Sequence, residues 1–308
     1  MPPPTSFALD SISPQTELVD RAAEWLAGHV RELSGDSPAA WHRALVAATV
    51  ELADTQPAMA SLLALGTRAI LVSRKAEGDG ASTDEQRDRV LESIGAWTSD
   101  WREAGQEIVR RAQESLPPSG WVATYTRSSL VERALLAAHE AGASLRVLCA
   151  ESRPMNEGRA LAAVLARAEI PAWLVADGSL GLLLPQAGAM WIGVDAVREK
   201  TFVSKAGTYA LLLVARELNV PVYALAQRAK FVPDRCRRLT LPRRDASEVW
   251  EDAPPGVNVV NLPFEEVPLP LLRGIITEGG FLTGREIADA AGSALVAEEL
   301  LEPAKPKG

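Results

Sequence analysis

The stretch Leu116-Pro117-Pro118-Ser119-Gly120 separates two parts of the chain that have different sequence patterns. Two prolines and a glycine interrupt regular secondary structure, because proline lacks a backbone N–H donor and glycine is conformationally free. Before this stretch apolar residues recur at helical spacing, and after it short apolar runs alternate with helical segments. A chain of 308 residues is also longer than one hydrophobic core usually organises. We therefore predict two domains, residues 1–116 and residues 117–308.

The N-terminal part is predicted to be entirely helical. Four segments carry apolar residues at helical spacing, over residues 14–33, 38–53, 57–74 and 83–114. Ser37 and Pro38 are typical of a helix start, since a serine hydroxyl caps the first turn and proline fits its first position. Residues 1–13 show no such spacing, and we expect them to be disordered.

The C-terminal part alternates buried strands with helices. Strands are predicted at residues 121–126, 145–151, 172–177, 190–195 and 220–226. Helices are predicted between them at residues 128–141, 156–168 and 205–218. Apolar strands that alternate with helices form parallel sheets with right-handed crossovers. The predicted fold class is therefore α/β, with an all-helical N-terminal domain and a mainly parallel sheet after it.

Composition argues against several classes of function. The net charge of −8 and pI of about 5.1 disfavour nucleic-acid binding, which needs clustered lysine and arginine. Cys149 and Cys236 have neither metal-site nor disulfide spacing, so we expect no metal and no cofactor. The apolar run at residues 180–184 is too short to span a bilayer, and the N-terminus lacks a signal-peptide pattern. We expect a cytoplasmic protein that binds neither nucleic acids nor membranes.

Polar residues follow the predicted strands, where ligands bind in an open parallel sheet. They occupy residues 124–129, 151–153 and 177–179, and Asp195. Asp195 is the sharpest candidate because it ends the apolar run 190–194, so its carboxylate would be partly desolvated and able to act as an acid or base. The alternative is that Asp195 caps a turn or pairs with a cation.

Three cations are candidates for binding an anion near the same edge. Ser204 and Lys205 open a predicted helix, whose N-terminal amides together with an ammonium suit a phosphate. Arg153 is a possible phosphate ligand or the partner of a nearby glutamate. Lys230 follows the fifth predicted strand, and its alternative role is that of a free surface lysine.

Several of these segments resemble signatures of one known superfamily. Residues 151–158 resemble its E-[ST]-R-P-x-x-x-G signature, residues 193–197 its GAD-A-V segment, and residues 204–209 its NKIGTY segment. The ordered match covers residues 121–280. The chain thus resembles the initiation factor 2B and sugar-phosphate isomerase superfamily. The resemblance implies a helical N-terminal domain followed by a Rossmann-like α/β domain.

The superfamily contains two kinds of protein. One kind isomerises methylthioribose 1-phosphate or ribose 1,5-bisphosphate, and pairs a cysteine with an aspartate to move protons. The other comprises the alpha, beta and delta regulatory subunits of initiation factor 2B, which are not isomerases. By resemblance Asp195 takes the aspartate position, but the cysteine position is Thr126. A threonine hydroxyl is far less acidic than a thiol and cannot replace a thiolate.

The resemblance also assigns phosphate-binding positions. Lys205 matches the lysine of the NK pair, with Ser204 in place of the asparagine, and Lys230 matches a lysine that precedes phenylalanine. Gln56 stands where the isomerases have an arginine, and residues 33–36 carry an acid where they have an arginine-containing phosphate loop. The predicted ligand site comprises Arg127, Ser128, Arg153, Ser204, Lys205 and Lys230.

These departures favour a protein that is not an enzyme and is similar to the regulatory subunits. We expect it to bind a phosphorylated sugar or nucleotide in a regulatory or sensing role, and to form a homodimer through the α/β domain. The apolar stretches at residues 180–184 and 211–214 favour such an interface. Two alternatives remain: an aldose–ketose isomerase that uses Asp195 with an altered partner, and an assembly subunit with a vestigial pocket.

Overall fold

The computed structural model describes residues 15–117 and 120–302. Its first part contains four helices, α1 (Gln15–Glu32), α2 (Pro38–Thr55), α3 (Ala60–Gly78) and α4 (Thr83–Ala112). Residues 15–117 contain no strand, which confirms the helical prediction. The predicted disordered segment 1–13 and two residues of the predicted boundary, Pro118 and Ser119, lie outside the described residues.

Side-chain caps fix where two of these helices begin. The Ser37 hydroxyl accepts a hydrogen bond from the amide of Ala40 at 3.2 Å, and Pro38 occupies the first position of α2. Ser82 and Glu85 form a reciprocal capping box at the start of α4. Both caps satisfy amides that the first helical turn leaves without partners, so local sequence determines these boundaries.

Residues 120–302 contain ten strands and five α-helices. The strands are β1 (Trp121–Tyr125), β2 (Arg146–Ala150), β3 (Ala172–Val175), β4 (Ala187–Gly193), β5 (Ala196–Val197), β6 (Thr201–Lys205), β7 (Val222–Leu225), β8 (Phe264–Pro268), β9 (Gly274–Thr277) and β10 (Gly280–Leu282). The helices are α5 (Ser129–Glu140), α6 (Glu157–Arg167), α7 (Leu180–Leu183), α8 (Thr208–Glu217) and α9 (Gly284–Gly292).

Seven strands form one sheet in the order β10-β9-β7-β4-β1-β2-β3. All neighbours are parallel except β10, which runs antiparallel to β9. The chain moves outward from β1 to β3 and then returns to place β4 on the other side of β1. This reversal opens a crevice beyond the carboxyl ends of β1 and β4, where open α/β sheets bind ligands.

Helices cover both faces of the sheet. Leu130 and Leu161 of α5 and α6 pack with Trp191 on one face, and Leu212 of α8 packs with Ile192 on the other. Helix α4 joins the two parts, because its first half packs among the N-terminal helices and its second half contacts the sheet. Within the described residues, no helix combines the length and apolarity needed to cross a membrane.

The structure corrects the predicted helix at residues 205–218. Residues 201–205 form β6, which pairs antiparallel with both β5 and β8 in a separate three-stranded sheet. Helix α8 begins at Thr208, after Gly207 with φ of 101°. A Cβ on Gly207 would lie 2.6 Å from the Tyr125 hydroxyl, so this tight turn requires glycine. Lys205 therefore ends a strand and does not open a helix.

Candidate functional site

A small cavity of about 50 Å³ lies at the crevice between β1 and β4. It combines residues from the loop after β1, the end of β4, the end of β6 and the start of α1. Six of the sequence-predicted site residues meet here. The lining residues are Gln15, Thr126, Arg127, Ser128, Ser129, Gly193, Val194, Asp195, Ser204 and Lys230.

The side chain of Ser128, in the loop after β1, lies directly against the backbone of Gly193 at the end of β4. A Cβ on Gly193 would lie 2.5 Å from the Ser128 hydroxyl, so only glycine at this position lets Ser128 reach the cavity. Thr126 takes a left-handed conformation with φ of 44°, which is uncommon for a β-branched residue. The Ser204 hydroxyl donates to the Gly193 carbonyl at 3.1 Å. These contacts hold three hydroxyl-bearing residues around the end of β4.

Backbone hydrogen bonds fix the position of Asp195, which lines the cavity. The Asp195 amide donates to Val203 at 2.9 Å, and its carbonyl accepts from Ala60 of α3 at 3.2 Å. Burial raises the pKa of Asp195 to about 6, against the lowering effect of Lys230 and Lys205. A carboxyl group with a pKa this near neutrality can accept or release a proton at physiological pH.

Lys230 is a buried cation, not the free surface lysine considered above. Its exposed fraction is 4%, its ammonium donates to the Val194 carbonyl at 2.9 Å, and it lies 5.9 Å from the ring centre of Trp101. Burial lowers the pKa of Lys230 to about 8, although Asp195 opposes this change. An ammonium has three donors, and only one makes a hydrogen bond to the described residues.

Lys205, a predicted site residue, does not line the cavity and is paired inside the protein. Its ammonium lies 2.6 Å from a carboxylate oxygen of Glu157, and both side chains are largely buried. Glu157 is the first residue of α6, where the helix dipole favours a negative charge. The predicted arrangement of a lysine at a helix N-terminus is therefore wrong, and Lys205 has an internal counter-ion.

The two arginines of the predicted site differ in position. Arg127 lines the cavity and forms an ion pair with Glu132 at 2.8 Å. Arg153 does not line it, because its guanidinium turns to the Val249 carbonyl at 3.1 Å and its amide is bonded to Asp177. The structure therefore separates Arg153 from the predicted residues that line the cavity.

Neither cysteine reaches the cavity. Cys149 lies on β2 with its thiol 3.6 Å from the Trp173 carbonyl, and burial raises its pKa to about 11. Burial also raises the pKa of the Cys236 thiol. Both thiols are thus protonated near neutrality, and neither lines the cavity. Across residues 15–117 and 120–302, no group of three or more histidine, cysteine or acidic side chains is placed to hold a metal ion.

Two residues of this region, Glu157 and Gln15, are not among the site residues predicted from the sequence. Glu157 lies in the recognised segment 151–158, where a Cβ on Gly158 would lie only 1.7 Å from the Ala150 carbonyl. That close approach places the start of α6 against β2. The glycine at position 158 is the feature of the sequence that indicates this contact. Gln15 joins the cavity from a helix more than 100 residues away in sequence, so no local pattern could have revealed it.

The fold and site define a class of protein: a helical domain followed by a Rossmann-like domain, with a polar cavity at the point where the strand order reverses. Within that class, the chain belongs to the initiation factor 2 subunit family, whose model matches residues 12–284. The resemblance seen in the sequence is confirmed.

Individual relatives include both kinds of protein. The chain is 29% identical over 278 residues to a ribose 1,5-bisphosphate isomerase of Haloterrigena turkmenica, covering 85% of this chain and 84% of that one. It is also 29% identical over 280 residues to a methylthioribose-1-phosphate isomerase of Pelotomaculum thermopropionicum, covering 85% and 76%. The crystal structure of the translation initiation factor eIF-2B of Pyrococcus horikoshii OT3 superposes with a TM-score of 0.75 at 26% identity, over 90% of this chain and 94% of that one.

Proposed function

We propose that this chain is a non-isomerase member of the family that binds a small phosphorylated sugar or nucleotide in a regulatory role. One observation supports it most directly: the cavity presents a buried ammonium and several hydroxyls but lacks a thiol. The first two groups suit binding of an anionic, hydroxyl-bearing ligand. The missing thiol removes one of the two groups on which the family's isomerases depend.

Lys230 is the main anchor in this proposal. Burial disfavours its charged form, and the single hydrogen bond to Val194 leaves two donors unused by the described residues. A phosphate oxygen at this position would accept from those donors in a charge-assisted bond. Arg127, Ser128 and Ser204 would supply further donors from the cavity wall.

Proton transfer between neighbouring sugar carbons needs two groups poised near neutrality. Asp195 can supply one of them. Thr126 cannot supply the other, and Tyr125 cannot either, because burial raises its pKa and its hydroxyl is bonded to the Ala206 carbonyl at 2.7 Å. Neither residue therefore replaces the thiol of the family's isomerases, which supports binding as the function.

Ligand entry would move the start of α1. The cavity of about 50 Å³ is smaller than typical ligand pockets, which measure roughly 300 Å³ or more. Gln15 forms part of the wall, and the neighbouring Thr16 hydroxyl contacts the Ser129 hydroxyl. A bound ligand would displace this end of α1 and so transmit its presence to the helical part, as sensing requires.

Thermal-shift titration with phosphorylated pentoses and nucleotides tests the proposal. We expect a saturable rise in melting temperature for the wild type that is lost in Lys230→Met. Lys75→Met is the matched control, because Lys75 is an exposed lysine of α3, outside the cavity. Retention of the shift in Lys230→Met, or no shift of the wild type with any phosphorylated compound, would count against the proposal.

An aldose–ketose isomerase is the second candidate, and one observation favours it. Asp195 with a pKa of about 6 and Lys230 with a pKa of about 8 are both poised near neutrality at the same cavity. Lys230 would then replace the thiol as the second proton carrier. An assembly subunit with a vestigial pocket is the third candidate, and it gains support if no ligand binds.

We also propose a homodimer formed through the α/β domain. Helix α7 exposes 78% of Leu182, and the neighbouring α8 exposes Leu213 and Val214. These residues belong to the two apolar stretches that the sequence singled out. A second copy of the chain would bury this surface and stabilise the pair through the hydrophobic effect.

A further inference from the structure

The ion pair between Glu157 and Lys205 is unusual in its position. Glu157 and Lys205 retain 12% and 7% exposure at their side chains, and the two charged atoms lie 2.6 Å apart. Isolated charges are costly to bury, so each requires its partner. The pair therefore balances the charge of Lys205 inside the protein and weakens its attraction for an anion.

The two residues of this ion pair belong to separate elements of secondary structure. Lys205 ends β6, whose position is set by antiparallel pairing with β8, and Glu157 begins α6. Gly158, which follows Glu157, lies directly against the Ala150 carbonyl. Its amide also donates to the Glu151 carbonyl at 3.1 Å, so backbone contacts hold the start of α6 at the end of β2. Glu157 is thus held against Lys205 by the backbone, independently of any ligand.

Glu157 also retains an unused acceptor. Its second carboxylate oxygen, Oε2, is buried and accepts no hydrogen bond from the residues that the structure describes. A buried carboxylate oxygen without a donor is unfavourable, and a hydroxyl from a ligand would satisfy it. The same carboxylate thus repels additional negative charge and favours a hydroxyl group as a hydrogen-bond donor.

The charges of Glu157 and Lys205 both act on Asp195, which lines the cavity. Asp195 responds to them in opposite directions, because Glu157 raises its pKa and Lys205 lowers it. Lys205, Lys230, Asp195 and Glu157 together carry two positive and two negative charges when all are ionised. A phosphate dianion that enters this group therefore meets no net positive charge from these four residues.

We propose that Glu157 is the specificity-determining residue of this site: it acts as the permanent counter-ion of Lys205 and restricts the ligand to hydroxyl-rich molecules of low charge. The proposal rests on the proposed ligand-binding function. It assigns the single phosphate of the ligand to Lys230 and leaves Lys205 unavailable. Inorganic phosphate and bisphosphates are accordingly poor ligands of the wild type.

The test is the affinity for inorganic phosphate, measured by isothermal titration calorimetry. Glu157→Gln keeps the shape and an oxygen acceptor for Lys205 but removes the negative charge. We expect it to bind phosphate at least about tenfold more tightly than the wild type, the gain that one added charge-assisted hydrogen bond provides. The double variant Glu157→Gln/Lys205→Met should lose that gain.

Glu151→Gln is the matched control, since Glu151 precedes the same helix but pairs with the exposed Arg159 outside the cavity. It should leave phosphate affinity unchanged. If Glu157→Gln does not fold, Glu157→Asn, which also removes the negative charge, must bind phosphate more tightly than the wild type.

The outcomes separate this proposal from the proposed function. A gain in Glu157→Gln supports the role of Glu157 even if the wild type binds no phosphorylated sugar, a result that would contradict the proposed function alone. Ribose 5-phosphate binding by the wild type, with no gain of phosphate affinity in Glu157→Gln, overturns the role of Glu157 alone. Absence of binding by both proteins overturns both proposals.

Discussion

Replacing Asp195 by asparagine should stabilise the protein at neutral pH. Burial raises the pKa of this carboxyl group from its ordinary value near 4 to about 6. The native state therefore holds a proton that the unfolded chain has already lost between those two values. Wild-type stability falls as the pH rises through this window, and above it the native state carries the full cost of a buried carboxylate.

The difference in pKa corresponds to an upper limit of about 3 kcal/mol in the free energy of unfolding. Partial solvent access to Asp195 reduces this figure. We expect Asp195→Asn to raise the free energy of unfolding by about 1–2 kcal/mol near pH 7.5, because the amide resembles the protonated acid. The gain should shrink towards zero near pH 4, where the wild-type carboxyl is itself protonated in the native state.

Urea unfolding at both pH values measures this effect. Asp289→Asn is the control, because Asp289 is exposed on α9 and its pairing with Arg285 is a surface contact. It should change stability by less than about 0.5 kcal/mol at either pH. The claim that the carboxylate is held in a desolvated state is refuted if Asp195→Asn destabilises the protein. It is also refuted if the substitution has the same effect on stability at both pH values.

Three other perturbations have definite expected outcomes. Gly158→Ala should lower the free energy of unfolding by about 3 kcal/mol or more, since its Cβ would overlap the Ala150 carbonyl. Gly95→Ala, in open space within α4, should instead raise the free energy of unfolding by about 0.5–1 kcal/mol. Urea unfolding of both variants shows whether the two effects have opposite signs. Leu182→Asp should convert the dimer to a monomer in sedimentation experiments at micromolar concentration, and a wild type that is already monomeric would contradict the proposed interface. Binding of a phosphorylated ligand should weaken as the pH rises past about 8, because Lys230 loses its proton there, and titration calorimetry across that range would reveal an unchanged affinity if Lys230 were not involved.

The sequence predicted the parts of the site that depend on local pattern. Thr126 and Asp195 follow apolar runs that form β1 and β4, and parallel neighbours bring their carboxyl ends together. The predicted capping residue Ser37 likewise lies directly before the helix it starts. In each case the signal and the structure involve residues that are close in sequence.

Other features depend on contacts that no local pattern contains. Ser204 and Lys205 are predicted to open a helix, but pairing with β8, some 60 residues later, makes them the end of a strand. That pairing also sets Lys205 against Glu157. The burial of Lys230 depends on Trp101 from the helical part, so its altered pKa could not be anticipated from the loop in which it lies.

The most direct test of the central claim is a turnover assay with ribose 1,5-bisphosphate and methylthioribose 1-phosphate, followed by detection of the ketose product. We expect no isomerisation by the wild type above the uncatalysed rate, because neither cysteine lines the cavity with Asp195 to complete the proton transfer. Turnover by the wild type that disappears in Asp195→Asn would contradict this account and show that the chain is an isomerase.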